Sequence, residues 1–196
     1  DAKIVASSDL DEYTIATLKR QGARIDMWGV GTRLATADGC PALNGVYKLS
    51  AVRESADRPW RHRVKLADRQ VKTSTPGVLQ VRRYVANGTA VGDMIYDVEH
   101  QPGLPAVAVD PGDASRRIPL PSGASAEELL VPIYRQGSRI LEPPSLDDAR
   151  RRVREQMELL PDAVKRLESP CRYPAGLEEG FHQHKERLIR QAEGGE

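Results

Sequence analysis

No stretch of this sequence comes near the roughly 18 consecutive apolar residues of a membrane-crossing helix, so no spanning segment is expected. A secretory leader is not expected either: the chain opens on Asp1, and its first short apolar run ends at Ser7. A strand-like segment already starts by Lys3 with no leader or cap before it, which predicts a start inside a domain. Cysteine is scarce. Cys40 and Cys171 lie far apart without Cys-x-x-Cys neighbours, which argues against a disulfide framework and for reduced thiols in the cytoplasm. Charge of one sign is not in surplus: 29 basic residues face 28 acidic ones, and a net charge of +1 gives no footing for a nucleic-acid partner. The four histidines lack metal-binding company. His62 and His100 have no companions at useful spacing. His182 and His184, two apart, would point to different faces of a helix and are assigned to the surface. No metal site is expected.

What the chain does have is enough apolar content, 39%, for a packed core in one large domain or two small ones. Lys3 to Ala6 predicts a strand, and a helix follows from Ser7-Ser8-Asp9. Ser8 or Asp9 is the expected cap, with Glu12 completing a capping-box pattern from Asp9. Lys19 and Arg20 suit the end of that helix, and Gly22 stops it. Arg24 to Trp28 is the next strand. Strand, helix and strand within about 25 residues make a βαβ unit with parallel strands.

The most informative stretch comes next: Trp28-Gly29-Val30-Gly31-Thr32-Arg33-Leu34. Glycines two apart, followed by a hydroxyl residue, can turn several N–H groups toward one point, which suits a phosphate. Taken alone, such a glycine pair serves a turn as readily as an anion. Its position sharpens the expectation. Both loops of a parallel βαβ unit leave the C-terminal ends of their strands on the same side of the sheet. Ser7-Ser8-Asp9 should therefore lie beside the glycine loop, placing a carboxylate and hydroxyls next to a phosphate cradle, as a sugar phosphate requires. Asp9 can cap a helix and face that site at once.

Further along, alternation predicts strands at Gly45 to Val52, Arg63 to Leu66, Val78 to Val85, Met94 to Val98 and Leu129 to Tyr134. Turn signals separate them, Asn87-Gly88 among them, and an antiparallel β region is expected. The segment 99–125, rich in Pro, Gly, Ala and Ser, reads as a mobile loop. Lys65, Lys72, Arg82 and Arg83 read as outward-facing strand residues, with a polyanion entrance as the alternative. Ser145 to Asp148 caps a helix running to Leu160, and a short helix follows at Asp162 to Leu167. A last helix runs from Leu177 to about Gln191, with a fraying tail at Gly194 to Glu196. The arginines at 150, 151, 152 and 154 alternate with acids and read as a solvated, ion-paired helix face.

The residues Lys3-Ile-Val-Ala-Ser-Ser-Asp-Leu-Asp-Glu-Tyr-Thr-Ile15, then Ile25 to Leu34, closely resemble nicotinate phosphoribosyltransferase. Pro41-Ala-Leu-Asn-Gly-Val-Tyr-Lys-Leu49, Val64-Lys-Leu66 and Val71-Lys-Thr-Ser-Thr-Pro-Gly77 continue the likeness. The resemblance implies an α/β fold: a partial irregular α/β barrel of the type II phosphoribosyltransferase kind, followed by an antiparallel β segment and C-terminal helices. It implies three parts. Residues 1–44 would hold C-terminal barrel strands and the phosphate loop, 45–140 a β-rich segment, and 141–196 a helical segment.

It also implies the C-terminal part of a longer enzyme. That enzyme makes nicotinate mononucleotide and pyrophosphate from nicotinate and phosphoribosyl pyrophosphate, with Mg2+ and ATP, in NAD biosynthesis. Gly31 and Thr32 would hold the 5-phosphate through N–H groups and the hydroxyl, and Arg33 would contribute its backbone. Ser8 and Asp9 would face the ribose hydroxyls, and Gly29 would shape the loop. The family's phosphorylated histidine and its nicotinate-gripping residues match nothing in this chain, so the N-terminal part is an implied partner. No catalytic residue is assigned, and the chain alone is expected not to turn over. A homodimer with the site near the subunit boundary is also implied. A quinolinate or nicotinamide phosphoribosyltransferase and a non-catalytic binding module remain as alternatives.

Overall fold

A computed structural model describes residues 2–42, 44–68 and 72–194. Asp1, Leu43, Val71, Gly195 and Glu196, which the sequence reading touched, lie outside the described residues. The chain divides into two compact units: Asp1–Tyr47 with Leu167–Ser169, and Lys48–Arg166 with Pro170–Glu196.

In the first unit, β1 (Val5–Ser7) pairs in parallel with β2 (Met27–Gly29), with Val5 opposite Met27 and Ser7 opposite Gly29. The crossover is α1 (Glu12–Arg20). Its cap is Asp11, not Ser8 or Asp9: the Thr14 N–H donates to Asp11 Oδ1 at 2.7 Å. Ser8 and Asp9 cannot cap because their backbones are left-handed, with φ of 82° and 46°. The far end stops as expected. Gly22 has φ 78°, its N–H bonds to the Lys19 carbonyl, and the Ala23 N–H reaches the Leu18 carbonyl, completing a Schellman stop. A four-residue helix, α2 (Thr32–Ala35), follows β2. No closed barrel forms among the described residues.

The second unit is built on a six-stranded sheet. Its strands are β5 (Leu79–Ala86), β6 (Thr89–Asp97), β7 (Val107–Asp110), β8 (Asp113–Pro119), β9 (Ser125–Glu128) and β12 (Ala175–Glu178). Their spatial order is β8-β7-β12-β6-β5-β9. The β5–β6 hairpin turns at Asn87 and Gly88, with φ of 51° and 73°, the type I′ geometry that matches strand twist. Alternation along β6 buries Ala90, Gly92, Met94 and Tyr96. Met94 and Tyr84 pack with Ala106, Ala108 and Leu120 to form the core.

Several expectations are corrected here. The sheet is mixed, because β12 pairs in parallel with β6 and antiparallel with β7. Residues 99–125 are not a loop: they hold β7 and β8, and Ala108, Asp110 and Leu120 are buried. Asp110 Oδ1 accepts from the Gly112 N–H, so the Pro-Gly pair makes the turn of a hairpin and does not interrupt it. Strand structure at 45–52 shrinks to β3 (Ala51–Val52), paired with β4 (Arg61–His62) in place of 63–66. Leu129 to Ile133 is not strand; β10 (Tyr134–Arg135) and β11 (Ser138–Arg139) form a separate hairpin. Residues 162–167 form a turn and bends in place of the expected short helix. The last helix, α4 (Glu179–Gly194), starts after β12.

Helix α3 (Leu146–Leu159) has the expected capping box at Ser145 and Asp148 and no buried residue. Arg150 pairs with Asp147, and Arg151 with Asp148 and Glu155, as a solvated face should. Arg83 differs from expectation. Its side chain is only 14% exposed and forks onto Asp93 at 2.8 and 2.9 Å. No described helix is long and apolar enough to cross a membrane, and both cysteines are free and exposed.

Candidate functional site

In the first unit, parallel pairing of only three residues per strand brings two distant loops together. Ser8, Asp9 and Leu10, after β1, Gly29 at the end of β2, and Gly31, Thr32 and Arg33 after it line one pocket of about 270 Å³. Every site residue named from the sequence is in that lining.

The glycines play different parts. A Cβ on Gly29 would stand 3.1 Å from Ser7 Cβ, a tight contact that favours glycine where β2 approaches β1. A Cβ on Gly31 would meet nothing within 4 Å. Its bareness serves the open pocket and not the packing. Gly31 caps α2, and the first-turn N–H groups of Thr32 and Arg33 have no intrahelical acceptor, leaving them free to donate to a ligand. Ser8 and Asp9 hold left-handed backbones beside them. Such strain in residues other than glycine costs on the order of 1–3 kcal/mol each and gathers at functional sites.

Charge near the pocket is arranged by local hydrogen bonds. The Arg33 guanidinium donates to Asp38, and that bond, with the attraction of Asp38, Asp11 and Asp9, raises its pKa. Arg33 therefore offers the pocket its backbone while its side chain is engaged elsewhere. Asp11 is held below the usual carboxylate range by its bonds to Thr14, so it stays an anionic cap.

The second unit holds a cavity that no sequence spacing announced. It measures about 470 Å³ and is lined by Trp60, His62, His100, Phe181, His184 and Leu188, among others. His62 Nε2 lies 2.9 Å from Oδ2 of the fully buried Asp97, and His62 Nδ1 lies 3.0 Å from His184 Nε2. His62 thus has companions after all, and half-buried His184 lines this cavity in place of the expected surface position. The sequence carries no signal for this: 122 positions separate the two histidines. His182 lies away from them, beside Gln183, Glu186 and Arg190. His62, Asp97 and Glu99 offer atoms within 4.8 Å of one another, but Asp97 already accepts from His62 and from the N–H groups of Val78 and Glu99.

Residues 80–185 match the profile of the nicotinate phosphoribosyltransferase C-terminal domain. A nicotinate phosphoribosyltransferase of Bacillus subtilis is 37% identical over 97% of this chain and 39% of its own length. A human nicotinate phosphoribosyltransferase is 32% identical over 90% of this chain and 32% of its own length. The crystal structure of human nicotinic acid phosphoribosyltransferase superposes with a TM-score of 0.65 at 25% identity, covering 95% of this chain and 33% of that one. The chain thus spans about two-fifths or less of the length of these relatives. The chain belongs to the nicotinate phosphoribosyltransferase family, of which it carries the C-terminal portion.

Proposed function

We propose that this chain supplies the phosphate and ribose wall of a nicotinate phosphoribosyltransferase, as part of an irregular α/β barrel. The carrying observation is the pocket shared by Ser8, Asp9, Gly29, Gly31, Thr32 and Arg33. In the reaction, the ring nitrogen of nicotinate bonds to C1 of phosphoribosyl pyrophosphate as the bond to pyrophosphate breaks. The transition state resembles an oxocarbenium ion, so positioning and electrostatics carry most of the work. The N–H groups of Thr32 and Arg33 and the Thr32 hydroxyl hold the 5-phosphate. Asp9 and Ser8 accept from and donate to the ribose hydroxyls, which orients C1 toward nicotinate. Nicotinate itself is held by the N-terminal part of the enzyme.

The pocket's donor set fits Mg2+. This ion keeps several waters and takes one or two carboxylates along with substrate phosphates, and Asp9 is the carboxylate in the lining. Bound there, Mg2+ would supply positive charge to offset that of the departing pyrophosphate. ATP assistance belongs to the same proposal but is assigned no residue here. The site near a subunit boundary of a homodimer, and a cytoplasmic setting, complete it.

Titration of the 15N-labelled chain with ribose 5-phosphate is the direct test. Amide shifts are expected at Gly31, Thr32 and Arg33, with smaller ones at Ser8 and Asp9. Absence of any change at the first three would sink the reading and favour a module that has lost its ligand. The chain alone, incubated with both substrates, Mg2+ and ATP, is expected to give no mononucleotide above background.

A further inference from the structure

Four side chains in the second unit form an ordered line: Arg187 and His184 on α4, His62 on β4 and Asp97 at the end of β6. We propose that this line is a proton-operated clasp, which holds α4 against β4 and β6 while both histidines are neutral and releases it when either is protonated.

The proton positions follow from the two ends. Arginine only donates and a carboxylate only accepts. Arg187 Nη2 lies 3.3 Å from His184 Nδ1, so that nitrogen must be the bare one. The His184 proton is then on Nε2, 3.0 Å from His62 Nδ1, which must also be bare. The His62 proton therefore sits on Nε2 and is donated to Asp97 Oδ2 at 2.9 Å. One arrangement of protons satisfies every link, and in it both rings are neutral. A proton added to His184 lands on Nδ1 and points at Arg187, setting donor against donor and cation against cation. A proton added to His62 lands on its Nδ1 and points at the His184 Nε2–H. Either event breaks the line.

One end of the clasp is anchored and the other is free to move. Asp97 is 0% exposed and also accepts from the Glu99 N–H at 2.8 Å and the Val78 N–H at 3.3 Å. Gly77, with φ 97°, passes so close that a Cβ there would stand 2.2 Å from Asp97 Oδ2. By contrast Arg187 is exposed and His184 only half-buried. Other ties on the same helix are buried Lys185, with Nζ 3.4 Å from Thr75 Oγ1, and Glu179, paired with Arg117 of β8.

Charged and titratable groups reach the cavity from several elements. His62 faces His184 from β4, and Asp97, Glu99 and His100 come from the end of β6 and beyond. Glu178 comes from β12, its carboxylate engaged by the Phe181 N–H, and Arg187 comes from α4 itself. Burial first, then His62, Arg187 and His100, hold His184 below its ordinary pKa of 6.5, and Asp97 works against them. The folded value lies under the free one. The contribution of the neutral ring is thus complete above about pH 6.5 and disappears as pH falls through the lowered value.

The clasp is tested on the unmodified chain and on a His62→Gln/His184→Gln double variant. Glutamine keeps a donor and an acceptor on each side chain but does not titrate. Imidazole 15N spectra at pH 8 should show both rings as Nε2–H tautomers. Amide hydrogen-exchange protection from Phe181 to Leu188 should fall at least tenfold between pH 8 and pH 5, while that of β5 and β6 holds. The double variant should show no such selective fall. An Nδ1–H tautomer on either ring, or an equal fall in the double variant, overturns the clasp. So does a shift of both rings with one equivalent of Zn2+, which would mark a metal site instead. Should the double variant fail to fold, the tautomers of the unmodified chain decide the matter alone.

Discussion

Gly29 and Gly31 sit two residues apart in one loop, yet their substitution should have opposite consequences. Gly31→Ala adds a methyl group that meets no protein atom within 4 Å. Thermal stability should stay within about 0.5 kcal/mol, the range of a substitution away from any packing feature, while affinity for ribose 5-phosphate falls at least tenfold. Gly29→Ala drives a Cβ to 3.1 Å from Ser7 and should weaken both binding and the β1–β2 pairing, by about 1–3 kcal/mol. Melting curves and phosphate titrations on both variants separate the two roles. In the other unit, Gly77→Ala combines a left-handed backbone with a 2.2 Å approach to a buried carboxylate. It should cost about 2 kcal/mol or more and loosen the His62–Asp97 link, seen as a change in the His62 ring spectrum.

At the scale of elements, short strands in this chain gain their meaning from what flanks them. Strand β12 has only four residues but lies between β6 and β7, where a Cβ on Gly176 would stand 2.5 Å from the Val109 carbonyl oxygen. Gly176→Ala should therefore destabilise the sheet by about 3 kcal/mol, shown by a lowered denaturant midpoint with the slope unchanged. Helix α3 depends on its cap, since no residue of it is buried. Ser145→Ala removes the hydroxyl that accepts from the Asp148 N–H and should cost about 1 kcal/mol of local helix stability, visible as fraying of residues 146–149. The Ser145 hydroxyl, Arg151 and the Ser145 N–H donate to the Asp148 carboxylate and hold it below its ordinary pKa of 3.8. Its folded value is the lower one, so this cap contribution is complete above about pH 4 and fades as acid protonates the carboxylate.

For the molecule as a whole, the two units differ in how much they bury. Leu10 is the one buried side chain among the described residues of the first unit, whereas the second encloses Met94, Tyr96, Ala108, Leu177 and Phe181. Apolar burial is the main source of cooperative stability, so amides of β1 and β2 should exchange at least a hundredfold faster than those of β5, β6 and β12. Comparable protection in both units would contradict this. Ile4, Val5 and Met27 lie about half exposed on the small parallel pair that carries the phosphate wall. The candidate site thus rests on the unit with less internal support.

By itself the sequence determined the features whose causes lie within a few dozen residues. The parallel β1–α1–β2 unit, the meeting of its two loops, the Asn87-Gly88 hairpin and the Ser145 capping box all follow from local pattern and turn chemistry. The pocket around Gly31 was legible for that reason. The cap at Asp11 was missed because Ser8 and Asp9 carry cap chemistry but are held in left-handed backbones, which composition does not show. Only the tertiary structure decided the rest. Strand β12 pairs with Asp93 to Ile95, some eighty positions upstream, and its four residues merge in sequence with the helix that follows. The β7–β8 hairpin was masked by its own proline and glycine turn. The histidine line could not be read from spacing at all, because its members converge only when β4, β6 and α4 pack around one cavity.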